Sequence, residues 1–280
     1  VRAAQLLFTT LLAAHAAGPP LRLAREDNWL VIQAPDVPGQ TIRINYLEAY
    51  CRANSTDADW VKHTVIRHRS EIVALSEDGR SVHVRDTLED GITVEHAIRA
   101  YPGEVEFRLN AFNPGARRSE AHWAQPCVRL GAFTGFDPDH RRGDINDYLR
   151  KCFVFLDGRL ARMPTPQWST KARYTPGQVW RPAHVPLTDV NPRPLNPRTP
   201  DNGLIGCFSG DENWIFATAW EPYQELFQGI ARCIHSDFRL GGLQPGERKL
   251  IRGKIYIAPN DVSALLERYR ADFPEHFAAK

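Results

Sequence analysis

The sequence predicts a mostly β protein: an antiparallel β-sandwich with a long proline-rich loop and a C-terminal helix. Three observations carry that expectation. Apolar residues recur with period two from Trp29 to Phe136, turn signals separate the runs, and a later proline-dense stretch is bracketed by further strand texture. Period two marks strands because successive side chains point to opposite faces of a sheet.

Taken in order, Val82 and Val84 alternate with Ser81, His83 and Arg85. Ile92, Val94, His96, Ile98 and Ala100 share one face of the next run, and Val105, Phe107, Leu109 and Ala111 share a face of the one after. Between them lie Glu77-Asp78-Gly79-Arg80, Glu89-Asp90-Gly91 and Tyr101-Pro102-Gly103. Short strands joined by such turns read as an antiparallel meander. The charged stretch from Asp137 to Arg150 reads as a short helix or loop, and Cys152 to Leu156 as a buried strand closed by Asp157-Gly158. From Pro164 to Pro200 there are nine prolines, interspersed with Trp168, Tyr174, Trp180 and His184. Proline cannot donate to a sheet ladder. The aromatic content therefore predicts a long ordered loop draped over the sandwich, the kind of segment that tends to carry function. Strand texture resumes at Gly203 to Phe208, Trp214 to Trp220, Ile230 to His235 and Lys249 to Ile257. Asn260 or Asp261 caps a closing helix whose apolar stripe is Val262, Leu265, Leu266, Tyr269 and Phe273.

At 280 residues, 42% hydrophobic and 24% charged, the chain can build a sizeable core. Its formal charge is only +2, with no basic block, which argues against a nucleic-acid partner. Arginine greatly outnumbers lysine, a bias that suits bidentate recognition of carboxylate or sulfate groups. Residues 1–18 carry one positive charge, a short apolar run and small residues, the pattern of a signal peptide. A single sandwich domain is expected over 19–280, exported to the periplasm or beyond, with no membrane association after cleavage. A valine in first place fits a GTG start and a bacterial gene. Cys51, Cys127, Cys152, Cys207 and Cys233 form no CxxC pair, so zinc-ribbon and thioredoxin-like readings fail, and their odd number leaves at least one thiol free. Nucleotide-loop, HExxH, GxSxG and EF-hand motifs are absent from the sequence. No cofactor is expected.

The stretch from Val82 to Pro126, with Asp90-Gly91-Ile92-Thr93-Val94-Glu95-His96, then Asn113, then His122-Trp123-Ala124-Gln125-Pro126, resembles the galactose-mutarotase-like supersandwich proteins. The resemblance covers about a third of the chain and implies a fold often used on sugars. It departs from the aldose epimerases, which place an asparagine before the first histidine; here His122 lacks that asparagine, and their second histidine and late glutamate have no counterpart. A carbohydrate partner therefore carries over, and epimerase activity does not.

Several residues can carry chemistry. His235, read at the end of a strand, has Asp237 to orient its ring, a general acid–base arrangement. His122, Trp123 and Arg129 offer a base, a stacking platform and an anion clamp. Tyr148 and Arg150 form a candidate pair for β-elimination on uronates. Glu221 and Glu225 lie near Trp220 and Tyr223, as a glycosidase needs two carboxyl groups across a sugar. Trp123, Trp168, Trp180, Trp220 and Tyr223 are candidate stacking surfaces. His96 falls on an apolar face and reads as a satisfied core histidine. The expectation is a secreted lyase or hydrolase acting on an acidic polysaccharide. The alternatives are a non-catalytic carbohydrate-binding protein and a metal-dependent protein using His122, His235 and a cysteine.

Overall fold

The computed structural model describes residues 18–55, 60–136, 147–167, 178–190, 194–229 and 231–277. The expected leader, except Gly18, and Trp168 lie outside these residues.

The architecture is the expected antiparallel sandwich. In chain order the strands are β1 (Arg22–Glu26), β2 (Trp29–Gln33), β3 (Thr41–Arg52), β4 (Val65–Ile66), β5 (His68–Leu75), β6 (Ser81–Leu88), β7 (Thr93–Tyr101) and β8 (Glu104–Phe112). They continue with β9 (Ala121–Arg129), β10 (Cys152–Leu156), β11 (Arg159–Arg162), β12 (Ile205–Phe208), β13 (Trp214–Glu221), β14 (Tyr223–Gly229), β15 (Cys233–Arg239) and β16 (Arg248–Pro259). A helical turn, α1 (Gly131–Thr134), follows β9, and α2 (Val262–Asp272) closes the fold. One sheet runs β1-β2-β3-β9-β15-β14, with β4 beside β3; the other runs β11-β10-β12-β13-β16-β8-β7-β6-β5.

The meander of β6 to β8 is the one the alternation predicted, and its inward residues Val82, Val84, Val94, Ile98, Phe107 and Leu109 join the core between the sheets. From the first sheet, Ile44, Tyr50, Ala124, Val128, Ile234 and Phe238 meet them. The alternate residues of β9, β14 and β15 point away from this core, so those strands are buried on both faces. That double burial explains an element the sequence hid. Tyr223 to Gly229 has the polar run Gln-Glu-Leu-Phe-Gln, yet every residue of β14 is buried. The strand is buried because the proline-rich segment covers it: Trp180 exchanges backbone hydrogen bonds with Leu226 at 2.9 and 2.8 Å. Val179, Val185 and Val190 pack against Phe227.

The strand at Cys233 extends to Arg239, which places His235 in mid-strand rather than at a strand end. All five cysteines are buried free thiols. At α2, Asp261 is the cap: its Oδ1 accepts from the Ala264 amide at 2.9 Å. Leu265, Tyr269 and Phe273 bury against the outer side of the second sheet. Asp261→Ala is expected to lower the unfolding free energy by about 1 kcal/mol, read from the urea midpoint at an unchanged slope.

Candidate functional site

The chemistry lies in two zones, a closed one on the outward face of the first sheet and an open one where the β1–β2 turn and β3 of that sheet meet β5 of the other. Along β15, Cys233, His235 and Asp237 fall on one side. Register aligns them with Gly229, Phe227 and Glu225 of β14 and places Arg129 of β9 beside Cys233. Asn45 of β3 is paired with Cys127, so the face continues across the sheet.

The closed zone is centred on His235. Its Nδ1 lies 3.2 Å from Asp237 Oδ1 and its Nε2 lies 3.5 Å from Cys233 Sγ. Phe227 stacks on the imidazole with ring centroids 4.2 Å apart. Burial alone would depress the His235 imidazolium, but Asp237 and Cys233 beside it raise its pKa well above the ordinary value. Cys127, donating to Cys233, holds that thiol well below its usual range against the opposing effect of burial, with His235 acting in the same direction as Cys127. Burial pushes Asp237 up to about 6. Glu225 is driven well above the carboxylate range by burial and by Asp237, and neither of its carboxylate oxygens has a well-formed hydrogen bond. Tyr148 closes the floor: its hydroxyl donates to the Gly229 carbonyl and, at 3.3 Å, to that of Cys233.

Sequence reasoning thus paired His235 with Asp237 as the structure does, but the exposure differs from what a substrate-handling base requires. His235 is 3% exposed and Asp237 is fully buried. Tyr148 and Arg150 do not form an eliminating pair: Tyr148 is buried, whereas the Arg150 side chain is 73% exposed and faces Asp147 at 3.6 Å. Trp123, Trp180, Trp220 and Tyr223 are all buried, so none presents the ring face a stacking surface needs. Trp123 packs with Ala49 and Cys51, and Trp220 lies between the sheets against Phe107 and Phe238. His122 sits apart from His235, 3.3 Å from Asp189 Oδ2. Asp189 also takes Arg239 at 2.7 Å, and its carbonyl accepts from Gln224. This set pins the proline-rich segment to the sheet. Glu221 pairs with His276 at 2.8 Å, away from Glu225.

The open zone was missed at the sequence level. A cleft of about 420 Å³ is lined by Arg25, Asp27, Asn28, Leu47, Glu48, His68 and Ser70. The β1–β2 turn is held over β3: Arg25 donates to the Tyr46 carbonyl at 2.5 Å, and Asn28 donates to Asn45 Oδ1 at 2.5 Å and to the Leu47 carbonyl at 2.8 Å. β3 departs from regular pairing with β9 between Asn45 and Ala49, which aims Glu48 at the cleft. Glu48 also lies 4.0 Å from Arg129, joining the two zones. Arg129 and Arg43 both lie over the Trp29 ring, at 5.6 and 5.1 Å. Burial lowers the His68 pKa ahead of the opposing pull of Asp86, so the imidazole stays neutral at neutral pH. Behind the cleft is a buried network: Ser70 and Tyr50 each donate to Asp86 at 2.6 Å, His96 Nε2 lies 3.1 Å from Asp86, and Tyr46 meets His96 Nδ1 at 2.8 Å. His96 is the satisfied core histidine the sequence implied. The cleft residues come from three separate strands and a turn, and no linear spacing connects them.

No protein-family model matches this sequence, and no curated protein matches it. Among solved structures, the chain is similar in fold to a provisionally assigned aldose 1-epimerase from Escherichia coli K12, at 10% identity, 85% and 99% coverage of the two chains and a TM-score of 0.42. It is similar to a galactose mutarotase-like protein from Clostridium acetobutylicum at 10% identity, 85% and 94% coverage and a TM-score of 0.39. It also resembles an α-N-acetylgalactosaminidase from Bifidobacterium bifidum, at 12% identity and a TM-score of 0.45, where 92% of this chain covers 38% of that one.

Proposed function

We propose that this protein acts on a carbohydrate held in the open cleft, with Glu48 and His68 handling protons and Arg25, Asp27 and Asn28 binding hydroxyl groups. One observation carries the reading. The cleft brings a cation, two carboxylates, an amide and a neutral imidazole together within reach of solvent, whereas the His235 centre is sealed. Each sugar hydroxyl both donates and accepts, so a site that alternates donors and acceptors suits it. A base must also be unprotonated at working pH to accept a proton, and His68 meets that condition.

The balance of charge narrows the substrate. Arg25 stands against Asp27 and Glu48 while His68 is neutral, so the cleft favours a neutral sugar over a uronate polymer. Elimination needs a uronate carboxylate to acidify the departing proton; without one, hydrolysis with Glu48 and His68 as the proton-handling pair fits better. The export inferred from the first eighteen residues is consistent with a substrate met outside the cytoplasm.

The test is to incubate the full chain with panels of neutral and acidic oligosaccharides, following new reducing ends, unsaturated-uronate absorbance and calorimetric binding in parallel. Reducing ends from a neutral substrate are expected, with turnover falling about 100-fold or more in Glu48→Gln and His68→Asn while binding persists. Uronate absorbance would overturn the neutral-sugar reading. Binding without any product would make the protein a carbohydrate-binding one.

A further inference from the structure

We infer that Cys127, Cys233 and His235 form a zinc site that clips β9 to β15. Their ligand atoms, Sγ, Sγ and a ring nitrogen, lie within 4.8 Å of one another and all three residues are buried. The inference is independent of the cleft and its substrate.

The Cys233–His235 edge matches zinc. With Zn–S near 2.3 Å and Zn–N near 2.0–2.1 Å, tetrahedral coordination sets a sulfur-to-nitrogen edge of about 3.6 Å. Cys233 Sγ and His235 Nε2 are 3.5 Å apart. The other ring nitrogen faces Asp237 at 3.2 Å. A carboxylate on Nδ1 fixes the tautomer that presents the Nε2 lone pair, the usual outer arrangement of a metal-binding histidine. Two sulfurs and one nitrogen in a tetrahedral frame select zinc over hard cations.

Two further features bear on the site. Gly229 sits over the cluster: a Cβ at that position would stand 2.5 Å from Cys233 Sγ and 3.6 Å from His235 Nε2. Its φ lies outside the left-handed region, so space rather than backbone conformation calls for glycine. Second, β9 is an interior strand carrying Pro126, which has no N–H to give a ladder. The paired register of β9 with β15 lapses between Val128–Ile234 and Ala124–Phe238, across that proline. Cys127 comes from β9, and Cys233 and His235 come from β15. An ion held by all three would tie the strands together at the place where backbone hydrogen bonding fails.

The experiment uses tag-free full-length protein from zinc-replete expression. Elemental analysis is expected to find about one zinc per chain. After exchange, Co²⁺ is expected to give thiolate-to-cobalt charge transfer in the near ultraviolet and the visible bands of tetrahedral cobalt. Cys127→Ser and Gly229→Ala are expected to reduce the metal to background and abolish both sets of bands, while Cys152→Ser, at a buried thiol outside the cluster, retains them. Metal-free wild-type protein that shows no cobalt bands on titration overturns the inference, and this outcome does not depend on any variant folding. Full metal content in Cys127→Ser or Gly229→Ala overturns the assignment to these residues.

Discussion

Asp86→Asn is expected to destabilise the fold by about 3 kcal/mol, the upper end for leaving buried hydrogen-bonding groups unsatisfied. Asp86 is 1% exposed and accepts from Ser70 and Tyr50 while facing His96. An amide of the same shape keeps the volume but turns one acceptor into a donor, aimed at hydroxyls that already donate. The pH dependence separates this charge from mere packing. Burial pushes the Asp86 pKa up, but His96, Ser70 and Tyr50 outweigh it and bring the carboxyl down from 3.8 to about 2. A depressed carboxylate contributes stability that is fully present above the unfolded value. That stability is lost as pH falls through the folded one. The loss between roughly pH 4 and pH 2 corresponds to about 2.5 kcal/mol at 1.36 kcal/mol per pH unit. Urea unfolding across this window should slope less steeply for the variant than for the parent, the remaining slope coming from other carboxyls held low, Glu212 among them. An equal slope in both would show that Asp86 is not the titrating group.

Gly253→Ala is expected to cost about 3 kcal/mol, the upper part of the range for overpacking. Gly253 on β16 lies opposite Trp220 on β13, and a Cβ there would fall inside 3.0 Å of three Trp220 ring atoms. The indole cannot retreat, because Phe107 and Phe238 hold it at centroid distances of 5.0 and 4.9 Å. Trp220→Ala alone should cost about 3–5 kcal/mol through the cavity it leaves. In that background the clash is gone, and Gly253→Ala should add less than about 0.5 kcal/mol, giving a coupling of about 2 kcal/mol or more in a double-mutant cycle. Additive losses would mean that the ring does not press on Gly253.

The buried network and the Trp220 contact differ in how far the sequence announced them. His96 on the apolar face of its strand signalled a core histidine needing partners, but Tyr46 and Tyr50, some fifty residues upstream, could not be named as those partners. Trp220 read equally well as a stacking surface, because an indole suits a sugar face and a sheet interior alike. Only the position of β13 between β12 and β16 decides which it meets.

The sequence by itself determined the class of fold, the β6–β8 meander, the buried strand at Cys152, the capped closing helix and the pairing of His235 with Asp237. Each rests on local spacing: alternation of period two, a turn residue between runs, a capping aspartate ahead of an apolar stripe, or two side chains two residues apart on one strand. The tertiary structure alone decided that β14 is a strand, that the His235 centre is sealed, and that the open cleft lies between the β1–β2 turn, β3 and β5. The physical reason is the same in each case. Burial and convergence depend on which distant segments pack together, as the proline-rich segment packs on β14 and as Glu48 and His68 come to line one cleft. That information is set by long-range sheet order and by an irregularity in β3, neither of which leaves a periodic trace along the chain.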